Sequence, residues 1–152
     1  MNDLIAQRAH RAFNGMPRFV HLSAAEAMKR WRGVLRPNEA AFGLYQDDSS
    51  SLRSCMVLTD RGLHMKSAKT GRWKAIDYAD IESIAPLLAT EDSPTDPSSA
   101  KRVAASLTVH LRNGRSVVIA VTGGDTRFRD AYQFCSFLRH AVVDARADLA
   151  DT

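Results

Sequence analysis

Apolar positions along this chain change period twice, and the changes divide it into three stretches. Before about residue 40 they recur at helical spacing. From there to 121 they alternate or run together in short blocks between turn residues, and from about 125 they return to helical spacing. In the first stretch Ile5, Ala9, Ala12 and Met16 share one side of a helix, with Arg8 and Arg11 on another, until Gly15 and Pro17 interrupt it. A second helix is predicted from Ser23 to about Leu35, because Ser23 followed by Glu26 is a capping-box pattern that satisfies unpaired N–H groups. Its apolar stripe is Ala24, Met28, Trp31 and Leu35, with Lys29, Arg32 and Arg36 beside it. Pro37 ends it by pushing the preceding residue out of the α region.

The middle stretch predicts seven strands: Ala41–Tyr45, Leu52–Leu58, Leu63–Ser67, Arg72–Ile76, Ile81–Leu88, Ser106–Leu111 and Ser116–Val121. Thr59-Asp60-Arg61-Gly62 makes the first hairpin, with Gly62 supplying the turn conformation, and Asn113-Gly114 makes the last. Asp47 to Ser51 reads as a loop and residues 90 to 101, rich in Ser, Pro and acid, as a surface excursion. The final stretch predicts a helix from about Asp125 to Arg146. Phe128, Ala131, Cys135, Leu138, Val142 and Ala145 form its stripe, Phe134 and Ala141 widen it, and Gln133, Ser136, His140 and Asp144 lie opposite. Phe137 and Val143 fall away from the stripe, toward a partner or toward residues 1 to 22.

The run Val57-Leu58-Thr59-Asp60-Arg61-Gly62-Leu63-His64-Met65 and the corner Tyr78-Ala79-Asp80-Ile81, followed by the Asn113-Gly114 hairpin and a closing helix, resemble the small bacterial pleckstrin-homology-like domains. The resemblance spans roughly Pro37 to Arg146. It implies an α+β, mainly β fold: a seven-stranded, bent antiparallel sheet or barrel capped by the C-terminal helix, here preceded by one or two N-terminal helices. It further implies a non-catalytic binding module, with residues 1–36 as a basic helical extension and 37–152 as the pleckstrin-homology-like domain. Family members that bind phosphoinositides gather Lys and Arg around the first two strands. Here the intervening loop begins Asp47-Asp48, which argues against that ligand.

Composition adjusts this picture modestly. A chain of 152 residues, 45% hydrophobic, fits one domain with a proper core. No run of roughly 18 apolar residues occurs, the start lacks a secretory pattern, and Cys55 and Cys135 fall on apolar positions. A soluble, cytoplasmic protein without disulfides is expected. Residues 1 to 36 carry seven Lys and Arg against Asp3 and Glu26, a net +5, while the rest carries 14 basic and 15 acidic residues, a net −1. Attraction to an acidic partner would start in the N-terminal segment.

Two basic groups are candidate binding residues. Lys66, Lys69, Arg72 and Lys74 surround the turn at Gly71, and alternation puts Lys66 and Lys74 on the face opposite Met65 and Trp73, as one patch for phosphate or acidic side chains. The plainer account is a solvated strand edge. Lys29, Arg32 and Arg36 suit an anionic membrane or nucleic acid. The plainer account packs Trp31, Met28 and Leu35 on the barrel and leaves the charges in water. The histidines show no metal spacing, and His64 and His110 are expected to point outward. Gly123-Gly124-Asp125 is similar to the signature turn of diguanylate cyclases, but Thr126-Arg127-Phe128 stands where that signature requires an acidic pair, and Asp125 or Thr126 capping the last helix explains the residues. No cofactor, metal or catalytic grouping is expected. The leading expectation is an adaptor for a protein or peptide, with an anionic membrane or phosphorylated ligand as the rival and an enzyme as the weakest. No specific nucleic acid is expected, and a second copy of the chain remains open as a partner.

Overall fold

Alternation and capping translate directly into elements in the computed structural model, which describes residues 3–16, 18–46, 55–67, 69–87, 106–121 and 129–151. They are α1 (Asp3–Phe13), β1 (Phe19–His21), α2 (Ala24–Trp31), β2 (Ala41–Gln46), β3 (Cys55–Thr59), β4 (Gly62–Lys66), β5 (Trp73–Asp77), a 3-10 turn (Tyr78–Asp80), β6 (Ile81–Leu87), β7 (Ser106–Leu111), β8 (Ser116–Ala120) and α3 (Arg129–Ala150). The loop at 47–51, the excursion at 90–101, Gly123-Gly124-Asp125 and Phe128 lie outside the described residues.

The strands form two antiparallel sheets, one of five strands ordered β1-β2-β3-β4-β5 and one of three ordered β6-β7-β8. This corrects two expectations. An eighth strand, β1, pairs Phe19 with Tyr45 and His21 with Gly43, and among the described residues the two sheets do not join by hydrogen bonding into a closed barrel. Three residues between Pro17 and Ser23 are too short to carry a period, so β1 exists because β2 offers it an edge. Gly43 shows the fit: a Cβ there would come within 2.2 Å of the Phe19 ring.

A β-bulge between Ala41 and Gly43 lets β2 serve two cores. Phe42 and Tyr45 enter the main one, with Met56, Leu58, Leu63, Ile76, Leu107, Val109, Ile119 and the α3 residues Phe134, Phe137, Leu138 and Ala141. Ala41 and Leu44 enter a second, on the outer face of the five-stranded sheet, with Ala27 and Trp31 of α2, Cys55 and Val57. Both faces of this sheet are therefore covered. α2 has the expected capping box, but it buries Ala27 and Trp31 and leaves Met28 49% exposed. It also stops at Trp31, and Arg36 lies beyond it.

α1 is part of the main core: Ile5, Ala9 and Phe13 are buried there. The Phe13 ring lies 4.7 Å from Phe19, 4.7 Å from Phe134 and 5.0 Å from Phe137. Phe137 thus contacts the N-terminal segment, while Val143 stays 66% exposed. Asp144, expected to face water, is buried because Arg8 of α1 pairs with it at 2.5 Å. α3 is held from the other side by Tyr45, whose hydroxyl donates to Asp130 at 3.1 Å, and by Arg146, which donates to the Ile81 carbonyl at 2.6 Å. Both cysteines are free and buried, Cys55 beneath α2 and Cys135 in the main core.

Candidate functional site

β5 is an outer strand of its sheet, and its far edge faces β8 across a seam. Ser67 N donates to Arg72 O at 2.9 Å and Tyr78 N to Arg61 O at 3.0 Å. These bonds fix the phase of the ladder: Lys74 and Ile76 bond toward β4, whereas the backbone groups of Trp73, Ala75 and Asp77 point to the free edge. On β8, Leu111 N donates to Arg115 O at 2.8 Å, so Ser116 and Val118 likewise turn their backbone groups away from β7.

Two clefts lie along this seam. The larger, about 750 Å³, is lined by Lys74 to Asp77 of β5, by Arg36 and Asp80, and by Leu111 to Asn113 with Arg115 at the β7–β8 turn. The smaller, about 280 Å³, lies between Lys66, Arg72, Lys74, Met56 and Met65 on one side and Val117 to Ile119 on the other. Asp77 and Arg115 thus line one cleft and Arg72 and Ile119 the other, and among the described residues β5 and β8 do not pair. Arg36 is neutralised: it meets Asp77 at 2.6 Å and Glu39 at 3.2 Å, and both hold its guanidinium charged. Lys74, Arg112 and Arg115 make no ion pair among the described residues, and Asp80 is the remaining carboxylate at the larger cleft.

Behind the cleft, a buried polar cluster fixes the Thr59–Gly62 turn. Thr59 donates to Glu39 at 2.6 Å and accepts from the N–H groups of Arg61 at 3.1 Å and Gly62 at 3.0 Å. Asp60 accepts from Ala40 N at 2.9 Å, and the Tyr78 hydroxyl donates to Thr59 O at 2.9 Å. Burial alone would raise the Glu39 pKa, but hydrogen bonds from His64, Arg36 and Thr59 outweigh it and hold the carboxyl well below its usual range. His64 Nε2, 2.9 Å from that carboxylate, must then carry a hydrogen and donate it. His64 is thus buried and not outward-facing as its alternation suggested, because residues 36–39 cover the face it occupies. His110 does point outward, hydrogen-bonded to Ser116 at 2.8 Å. Gly62 is required for a different reason than turn conformation: a Cβ there would lie 2.1 Å from the Ile76 carbonyl oxygen.

The predicted site residues divide among several places. Register puts Lys66 opposite Trp73 and Met65 opposite Lys74, and directly opposed residues share a face. Lys66 and Lys74 therefore lie on opposite faces of the sheet, which corrects the single-face patch. The edge still brings Lys66, Arg72 and Lys74 to one cleft, while Lys69 is exposed on the turn beside it. Lys29 lines a separate hollow of about 390 Å³ beside Val20, His21 and Leu22. Arg32 is exposed at the end of α2, and Arg36 belongs to the buried cluster. Arg112 and Arg115 were missed. Their signal was present, since both flank the Asn113-Gly114 turn, but nothing local says where a turn will dock. Among the described residues no cluster of His, Cys, Asp or Glu could hold a metal ion, and no helix is long and apolar enough to cross a membrane.

No family model matches the sequence, and a search of curated proteins finds no match. Among solved structures, the chain is similar to a DUF1696 family protein with a pleckstrin-homology domain from Shewanella loihica PV-4, at 14% identity and a TM-score of 0.53, over 82% of this chain and 97% of that one. With its two antiparallel sheets and C-terminal helix, the chain has the pleckstrin-homology-like fold.

Proposed function

We propose that this chain is a non-catalytic binding domain of the cytoplasm that recognises a protein or peptide partner along the β5–β8 seam. The observation that carries the reading is a pair of strand edges that no strand among the described residues pairs, lying along a mainly basic cleft. Unpaired strand edges recruit extended segments through main-chain hydrogen bonds, and nearby side chains select among them. Panning random peptides on the wild type and on Lys74→Glu/Arg115→Glu tests it. Sequences that enrich on the first and vanish on the second support the reading, and enrichment indifferent to the substitutions removes it.

A second reading has an observation of its own: Lys66, Arg72, Lys74, Arg112 and Arg115 line the two clefts along the seam, which suits an anionic membrane or a phosphorylated ligand. Co-sedimentation with phosphatidylserine vesicles at low and high salt separates the two. Binding lost both with salt and with charge reversal at Lys74 and Arg115 favours the second reading. No sedimentation at any salt eliminates it.

A further inference from the structure

We infer that the partner taken at the seam is an acidic, extended segment of another protein, which adds as a strand to the free edge of β5. This rests on the seam reading above and names its ligand. Three observations converge. The backbone groups of Trp73, Ala75 and Asp77 point to that edge, over a strand about 17 Å long at ~3.3 Å per residue. Among the described residues β8 is also unpaired on its outer side and does not bond to β5, and the larger cleft of about 750 Å³ is lined by four consecutive β5 residues, Lys74 to Asp77. Among the described residues the charges are mostly basic: Lys74 of β5 and Arg112 and Arg115 of the β7–β8 turn line the cleft against one carboxylate outside an ion pair, Asp80, with Arg36 and Asp77 neutralising each other.

A strand laid on β5 places alternate side chains on each face. Residues on the Lys74 face meet Lys74 across the strand pair and the β7–β8 arginines beyond it, so acidic side chains at every second position fit that row. The intervening positions face the side of Trp73 and Ala75, where the half-buried Trp73 favours apolar residues. The preferred segment thus alternates acid with apolar residues. A lysine on an edge strand also discourages unwanted strand pairing, and in that account no segment binds.

The experiment measures binding of a short peptide alternating glutamate and valine by fluorescence anisotropy, beside a lysine–valine peptide and glutamate–valine peptides with every second amide methylated, in both phases. Hydrogen exchange on the wild-type protein is followed in parallel. The inference expects binding of the glutamate peptide only, at least tenfold weaker affinity after Lys74→Glu, loss with one of the methylated phases, and at least tenfold slower exchange at the Ala75 amide. Equal binding of the lysine peptide, undiminished binding of both methylated peptides, or an unchanged Ala75 amide overturns it. If the glutamate peptide fails while panning still yields ligands sensitive to Lys74 and Arg115, the acidic-strand inference falls and the seam reading stands. If neither binds, both fall.

Discussion

Glu39 has a fully buried side chain whose carboxylate is surrounded by Thr59, His64 and Arg36. A buried carboxylate with this many donors is costly to disturb, because an amide keeps one acceptor oxygen but loses the charge and turns the other oxygen into a donor facing donors. Glu39→Gln should destabilise the protein by about 3 kcal/mol at neutral pH, measured by urea denaturation. The sign of the pH dependence follows from the depressed folded pKa. The stabilisation is present above the ordinary value of 4.5 and is lost as pH falls below it toward the folded value. The gap between wild type and Glu39→Gln should therefore narrow in acid, and a gap independent of pH would contradict the assignment. The resemblance-bearing residues Thr59, Asp60 and Gly62 find their physical meaning here, in a turn pinned to residues 39–40 and in a close approach of β5.

At the level of elements, α2 covers the outer face of a sheet whose other face is also buried, and Trp31 is its anchor. Trp31→Ala should cost about 3 kcal/mol in chemical denaturation, whereas Met28→Ala, on the exposed side, should cost under about 0.5 kcal/mol. Equal effects would mean that α2 does not dock through Trp31. This double covering also explains which elements the sequence made legible. Strands with a strong local pattern, such as Ser106–Leu111 and Ile81–Leu87, are found within a residue or so of their predicted ends. Facing was less legible. Alternation tells two faces apart but not which is wet, which hides the burial of His64, and it does not give the pairing register that puts Lys66 and Lys74 on opposite faces. β1 is not legible because its hydrogen-bonding partner strand lies more than 20 residues away.

For the whole molecule, residues 3–36 contribute Ile5, Ala9, Phe13 and Phe19 to the main core and Ala27 and Trp31 to the second. A chain beginning at Pro37 would expose Phe134, Phe137 and Leu138 together with the β2 edge. It should bind a hydrophobic dye and lose its cooperative thermal transition, whereas retention of that transition would show the remaining residues to be self-sufficient. The seam belongs to the same scale. Its basic residues come from β4 to β5 and from the β7–β8 turn, segments some 40 residues apart that only the docking of the two sheets brings together. That is why the residues around Gly71 could be singled out from the sequence while Arg112 and Arg115 could not.

The two cysteines sit under different covers, Cys55 beneath α2 and Cys135 in the core that α1 helps to seal. Burial pushes the Cys55 thiol up and keeps it protonated, so in the closed protein it is a poor nucleophile. Each sulfur therefore gauges one lid: the rate at which a thiol reagent labels Cys55 reports lifting of the second helix, and labelling of Cys135 reports departure of the first. If the two rates respond separately to Trp31→Ala and Phe13→Ala, the helices open as independent units. Identical rates would show that the chain opens only as a whole.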